Sequence, residues 1–229
     1  MKLAALFSGG KDSTYAIFLA KKLGHSVDVL LTLYPYSDES HLLHYPNITF
    51  TSLQSESMKI PQLIEKMTSN NSENESQKLN SLITLAKENY SIEGIVHGGI
   101  LSEYQKDNFS LVCEKNNLEI ISPLWNKEPK SYMKELLDEN FEYIISTVTS
   151  DGLNDSWLGR IIDQTDLDEL KKLQKKFSFN LNFEGGEAET FVLNCPLFEK
   201  PLLIQDSNIK WDGYRGRFEI LEAKLKDNA

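Results

Sequence analysis

The stretch Lys2-Leu3-Ala4-Ala5-Leu6-Phe7-Ser8-Gly9-Gly10-Lys11-Asp12-Ser13 decides the fold. Lys2 to Phe7 is a short apolar run that reads as a buried strand. Ser8-Gly9-Gly10 breaks it. From Asp12 to Leu23 apolar residues recur at helical spacing, at Ala16, Leu19, Ala20 and Leu23, and Gly24 follows where a C-cap glycine belongs. Strand, glycine loop and helix in that order make a phosphate-binding arrangement. Gly9 and Gly10 can take backbone angles closed to other residues, so successive N–H groups converge on an anion. The helix behind them aims its unpaired N–H groups and positive dipole end at the same point. Ser8 and Ser13 add hydroxyl donors and Lys11 a point charge. Asp12 brings a carboxylate suited to capping the helix or helping to hold a metal ion. Spacing excludes other glycine loops: neither the Walker pattern G-x-x-x-x-G-K-[ST] nor the dinucleotide fingerprint G-x-G-x-x-G is present.

Outward from this loop, strand-like and helix-like segments alternate. Val27 to Leu33 reads as a second strand. Asn47 to Leu53 reads as a third, because Ile48, Phe50 and Leu53 are interspersed with Thr and Ser. Pro61 then falls early in the next helix, where a missing N–H costs nothing. Residues Thr68 to Gln77 are polar without an apolar anchor and read as a mobile loop, followed by a helix from Lys78 to Asn89. Gly94 to His97 is a fourth strand, with Gly98-Gly99 and a helix through Val112 behind it. Leu118 to Ser122 is a fifth, closed by Pro123. Such alternation with short connections predicts an α/β fold, a Rossmann-like parallel sheet joined by right-handed crossovers. The pattern changes after Trp125: a helix at Tyr132 to Leu137, a strand at Phe141 to Val148, a helix at Leu167 to Phe177, then strand-and-turn material from Phe183. The expected organisation is a loop-bearing domain over residues 1–125 and a smaller C-terminal α+β domain over 126–229.

Composition narrows the function. The 229 residues, 40% hydrophobic and 25% charged, are globular in balance. A net charge of −10 argues against general RNA or DNA binding, and no direct nucleic-acid contact is expected. Lys171-Lys172 and Lys175-Lys176 read as the solvated face of a helix. No apolar run reaches membrane-helix length, and the apolar start breaks at Ser8 without a cleavage-type segment, so the cytoplasm is the expected location. Cys113 and Cys195 form no C-x-x-C pair, and His25, His41, His44 and His97 show no metal-ligand spacing.

The string Ser8-Gly9-Gly10-Lys11-Asp12-Ser13 matches the PP-loop of the N-type ATP pyrophosphatases. That resemblance implies a β,γ-pyrophosphate held in the loop, attack by a substrate oxygen on the α-phosphate, an adenylated intermediate, and magnesium with the ATP. Further blocks follow in order. They are Ser40-His41-Leu42-Leu43-His44-Tyr45-Pro46-Asn47, Gly98-Gly99-Ile100-Leu101-Ser102-Glu103-Tyr104-Gln105, Pro123-Leu124-Trp125, Trp157-Leu158-Gly159-Arg160 and Glu184-Gly185-Gly186-Glu187-Ala188-Glu189-Thr190. Together they resemble the diphthine–ammonia ligase family, in the short single-module form seen in archaea. The resemblance implies ATP-dependent amidation of diphthine, a modified histidine on translation elongation factor 2. Ammonium would be the nitrogen source and a carboxyl-adenylate the intermediate, giving diphthamide, AMP and pyrophosphate.

Site roles follow as expectations. Ser8 to Ser13 with Gly98 and Gly99 take the nucleotide, and Asp12 takes the metal ion. Gly98 and Gly99 end the fourth strand, on the carboxyl edge where open α/β sheets bind ligands. His44, Ser102, Tyr104 and Gln105 face the nucleotide or diphthine, although Tyr104 and Gln105 also suit a helix start with no ligand. Glu184, Glu187 and Glu189 flank Gly185-Gly186, and three carboxylates there repel unless a cation binds. Magnesium, ammonium or the trimethylammonium of diphthine would serve, the last with cation–π help from Trp125 or Tyr104. The plainer reading is a hairpin tip of solvated acids. Gly185, Gly186 and Thr190 are grouped with the substrate, and Lys11, Asp12, Glu187 and Glu189 are the expected catalytic set. In the family pattern an arginine follows Tyr-Gln, whereas Lys106-Asp107-Asn108 stands here, leaving its task to Lys106 or Arg160. Other functions stay open: a PP-loop ligase for a different carboxylic acid, a tRNA-modifying enzyme, or a non-catalytic adenine-nucleotide sensor. So does assembly into a homo-oligomer.

Overall fold

Leu3, Ala4 and Ala5 are almost wholly buried in β1 (Lys2–Leu6), as expected of a central strand covered on both faces. The computed structural model describes residues 1–36, 47–69, 71–101 and 103–227. His44 and Ser102 lie outside the described residues, and so do the side chains of Tyr104 and Gln105.

The chain divides into two compact units. The first takes Met1–Ser8, Asp12–Ile48 and Lys59–Trp125. Its strands are β1, β2 (Ser26–Tyr34), β3 (Gln62–Lys66), β4 (Gly94–Val96) and β5 (Glu119–Ile121). They form one parallel sheet in the order β3-β2-β1-β4-β5. The α/β parallel sheet expected from the sequence is therefore present. Helices α1 (Lys11–Lys22), α3 (Ser72–Tyr90) and α4 (Glu103–Lys115) alternate with the strands. Ala4, Val29, Leu31 and Ile95 of the sheet pack with Leu82 and Ile83 of α3 in the core. The order reverses at β1, whose neighbours are β2 on one side and β4 on the other, and ligands of open α/β sheets bind at such switch points.

Three expectations fail here. The third strand is Gln62–Lys66, paired with β2 from Leu30↔Gln62 to Tyr34↔Lys66, and not Asn47–Leu53. Ile48–Phe50 is a 3₁₀ turn leading into α2 (Thr51–Met58). The buried face of α2 is Thr51, Gln54, Ser57 and Met58, mostly polar, so apolar periodicity does not mark it. Pro61 precedes a strand instead of opening a helix, and its carbonyl accepts the Leu30 N–H at 2.8 Å. The polar run is also not all loop. Helix α3 begins inside it, with Asn71 as N-cap accepting the Asn74 N–H at 2.8 Å, and Glu73 and Glu75 in the first turn.

The second unit takes Gly9–Lys11, Thr49–Met58 and Asn126–Ala229. Its four-stranded sheet runs β7 (Ala188–Asn194), β6 (Glu142–Val148), β9 (Gly216–Leu225), β8 (Leu202–Trp211), with antiparallel neighbours. Helix α5 (Pro129–Asp138) starts on Glu128, whose carboxylate accepts the Lys130 and Ser131 N–H groups. Helix α6 (Gln164–Phe177) starts on a reciprocal Asp163/Asp166 capping box. Among the described residues no helix is long and apolar enough to cross a membrane.

Candidate nucleotide site and acidic turn

Ser8 leaves β1 directly after Phe7, whose N–H donates to Leu31 and whose carbonyl accepts the Thr32 hydroxyl. Ser13, in the first turn of α1, closes the loop. Its hydroxyl accepts the Ser8 N–H at 3.3 Å and lies 3.2 Å from the Ser8 hydroxyl. At the end of β4, a Cβ added to Gly98 would stand 2.5 Å from the Asp12 carbonyl carbon and 2.7 Å from the Ser13 nitrogen. Only glycine lets the backbone after β4 approach the start of α1 so closely. Ser8, Asp12, Ser13 and Gly98 are thus brought together within the first unit.

His97 joins this group, and the metal-spacing test applied to the sequence missed it. It is buried, its Nδ1 accepts the Gly99 N–H at 3.0 Å, and its Nε2 lies 2.6 Å from the Ser122 hydroxyl. The ring of Phe109 meets it edge-on at 5.1 Å. Burial lowers its pKa to about 4, so the ring is neutral near pH 7. The available signal was a polar residue ending an apolar strand immediately before Gly98-Gly99.

Gly9, Gly10 and Lys11 belong to the second unit. Gly9, at φ +80°, has its carbonyl doubly bonded, by Val192 N–H at 3.0 Å and by Gln54 Nε2 at 3.0 Å. Gln54 donates also to the Val192 carbonyl at 2.7 Å. The Lys11 N–H, one of the orphan donors of a helix start, gives its proton to Thr190 Oγ1 at 3.1 Å. Lys11 itself is buried. Its Nζ donates to the Asn182 carbonyl at 2.7 Å and lies 5.5 Å from the Phe183 ring centroid and 5.9 Å from that of Tyr132. A carbonyl and two aromatic faces replace part of the water an ammonium loses on burial. Gln54, Asn182 and Tyr132 had no motif to announce them. The Asn182 amide, 1% exposed, has no hydrogen-bond partner among the described residues at either Oδ1 or Nδ2.

In the acidic turn, Glu187 organises the backbone. Its carboxylate accepts the N–H groups of Asn180 and Gly185, both at 2.8 Å, and its carbonyl accepts the Thr149 N–H. Glu184 and Glu189 are half-buried. Among the described residues no group of three or more acidic, histidine or cysteine side chains is placed to hold a metal ion, so the three glutamates make no such centre. Asp12, half-buried beside the loop, is a carboxylate of the type a magnesium ion takes when phosphate oxygens and water complete its shell.

Arg160 pairs with Asp166 and Glu169 and lies 4.8 Å over Trp157, so a neighbouring acid holds it. Trp157 and Leu158 are core residues. Burial pushes the Cys113 thiol up to about 11 and that of Cys195 to about 12, which suppresses thiolate chemistry.

A parallel α/β sheet with a glycine loop running from its central strand into a helix defines a nucleotide-binding class of protein. Comparison with known sequences narrows the class. Residues 1–120 match the diphthamide synthase N-terminal domain, and residues 128–225 match the diphthamide synthase C-terminal domain. Diphthine–ammonia ligases of Bos taurus and Homo sapiens are 33% identical over 227 residues, covering 91% of this chain and 85% of theirs. That of Schizosaccharomyces pombe is 31% identical over 91% of this chain but only 37% of its own length. The chain belongs to the diphthine–ammonia ligase family. A solved structure described as a predicted subunit of tRNA methyltransferase from Methanocaldococcus jannaschii aligns over 99% of this chain and 98% of its own, with 14% identity and a TM-score of 0.40.

Proposed function

We propose that this protein amidates diphthine on translation elongation factor 2, using ATP and ammonium and releasing AMP and pyrophosphate. The observation that carries the reading is that the family match runs through both halves, residues 1–120 and 128–225. The glycine loop and the acidic turn each lie inside a matched range.

In this reading Ser8 to Ser13 hold the β,γ-pyrophosphate, with backbone N–H groups and the Ser8 and Ser13 hydroxyls as donors. Gly98 and Gly99 bound the nucleotide, and residues 1–125 form the ATP-binding domain. A magnesium ion on Asp12 would neutralise charge on the phosphates. The diphthine carboxylate attacks the α-phosphorus, the bond to the bridging oxygen breaks, and pyrophosphate leaves. The ammonia nitrogen then attacks the acyl carbon, the C–O bond to AMP breaks, and a proton is released as the amide forms. Adenylation is needed because oxide is a poor leaving group and AMP a good one. Residues 126–229 bear the substrate-binding turn. Glu184 and Glu189 supply the negative field for a cationic substrate group, while Glu187, Gly185 and Gly186 fix its shape and Thr190 anchors the start of α1. His44, Ser102, Tyr104 and Gln105 contact substrate.

The test is product analysis with labelled ATP, with and without ammonium and elongation factor 2 carrying diphthine. The expected result is AMP and pyrophosphate only with the modified factor, and label from ammonium nitrogen on that factor. ADP as product would overturn the loop chemistry. AMP formed regardless of the factor would keep the loop and discard diphthine as the acid.

A further inference from the structure

We propose that His97 is a positioning residue of the nucleotide site, holding the Gly98-Gly99 turn against the first turn of α1. The inference rests on the reading of Ser8 to Ser13 as the ATP loop.

The ring's two bonds define its state. A backbone N–H can only donate, so the Gly99 contact at 3.0 Å requires a bare lone pair on Nδ1. The ring proton then sits on Nε2 and donates to the Ser122 hydroxyl at 2.6 Å. The His97 N–H also bonds the Ile121 carbonyl at 3.2 Å, extending the β4–β5 ladder by one residue. Backbone and side chain together pin the end of β4 to the end of β5. Gly98 follows at once, and its approach to the Asp12 and Ser13 backbone leaves no room even for a methyl group. A turn that tight transmits a displacement to the helix start, because packed backbone does not yield by a few tenths of an ångström without something else moving. An apolar residue would continue the buried run Gly94-Ile95-Val96 equally well, but it would leave the Gly99 N–H without this acceptor.

The experiment compares wild type with His97→Leu, His97→Asn and Ser122→Ala. With elongation factor 2 carrying diphthine present throughout, it follows pyrophosphate release against ATP and against ammonium, with circular dichroism to confirm folding. His97→Leu should raise KM for ATP roughly tenfold, the loss of one buried hydrogen bond, and leave KM for ammonium within about twofold. His97→Asn should restore KM for ATP to within about threefold, because an asparagine carbonyl reaches the N–H two residues on. If His97→Leu does not fold, Ser122→Ala carries the test: the acceptor remains but its tautomer is no longer held, and KM for ATP should rise about threefold. A lowered Tm with KM for ATP unmoved would overturn the inference, as would His97→Asn being as impaired as His97→Leu. Wild type that neither binds ATP nor releases pyrophosphate would overturn the reading of the loop, and this inference with it, before any variant is compared.

Discussion

The Ser8–Ser13 loop and the Glu184–Thr190 turn are both built on a Gly-Gly pair among polar residues, and one glycine in each has the same backbone angle. Gly9 sits at φ +80° and Gly186 at φ +79°. Their surroundings differ. A Cβ on Gly9 would meet Gln54 Oε1 at 2.5 Å, Thr51 Cγ2 at 2.9 Å and Phe191 Cε2 at 3.0 Å, whereas one on Gly186 would meet nothing within 4 Å. The loop needs glycine twice, for conformation and for space. At Gly186 the turn needs it for conformation alone. Phosphate loops use converging backbone, which only a crowded and fixed chain can hold still, while an exposed turn that presents carboxylates can spare packing.

Changing both glycines to alanine separates the two demands. Left-handed strain alone costs about 1–2 kcal/mol, so Gly186→Ala should destabilise by about that much. Gly9→Ala adds overpacking of about 1–3 kcal/mol and should also abolish ATP binding by calorimetry. Equal losses in urea melts would mean that the crowding around Gly9 relaxes freely and that the loop is no more constrained than the turn.

Much of the loop was legible because its motif states backbone requirements as residue spacing. Ser8, Ser13 and Gly98 come together as the strand–loop–helix reading requires. The supporting residues were not legible, because they act through buried polar contacts. Gln54 and Ser57 lie on the buried face of α2, bonded to the Gly9, Val192 and Lys200 carbonyls. Hydropathy scores such residues as surface, so the pattern marks Asn47 to Leu53 as a strand where a 3₁₀ turn and α2 form, and leaves Gln62–Lys66 unmarked. In the acidic turn the sequence shows the carboxylates but not their backbone partners. Charge counting treats Glu187 as a ligand in waiting, while its carboxylate is bonded to two backbone N–H groups.

Acid titration probes the loop's side of the comparison. His97 has a folded pKa of about 4 against 6.5 for the free group, so the unfolded chain binds the extra proton first as pH falls. The stability associated with neutral His97 is complete above about pH 6.5 and is lost progressively down to about pH 4. The full loss should be about 3 kcal/mol. His97→Asn, with nothing to protonate in that window, should flatten the curve of unfolding free energy against pH. A curve of unchanged slope would show that carboxylates elsewhere dominate the acid response.

For the turn, Glu187→Gln keeps the shape but leaves one carbonyl oxygen where two carboxylate oxygens each accept an N–H. The expected cost is about 1–2 kcal/mol of stability and a tenfold or greater fall in turnover at roughly unchanged KM for ATP. Unchanged kinetics beside a lowered Tm would show that the shape Glu187 holds does not bear on turnover.

The smallest effect falls at Asn182, just ahead of the turn, whose backbone carbonyl accepts the Lys11 ammonium. Lys11 bonds the carbonyl of Asn182, not its amide, so Asn182→Ala leaves that tether in place. The amide is buried and has no partner among the described residues, so its removal relieves a desolvation cost of about 1–3 kcal/mol. Loss of its packing opposes this by a similar amount, and the net change in urea should lie within about 1 kcal/mol of zero. A loss above about 2 kcal/mol would mean that the amide is bonded in the folded protein, to an ordered water at least. Repeating the melt with saturating ATP distinguishes the occupant: bound nucleotide stabilises by RT ln(1 + [L]/Kd), and the alanine variant should gain as much as wild type unless the Asn182 amide is one of the groups that receives it.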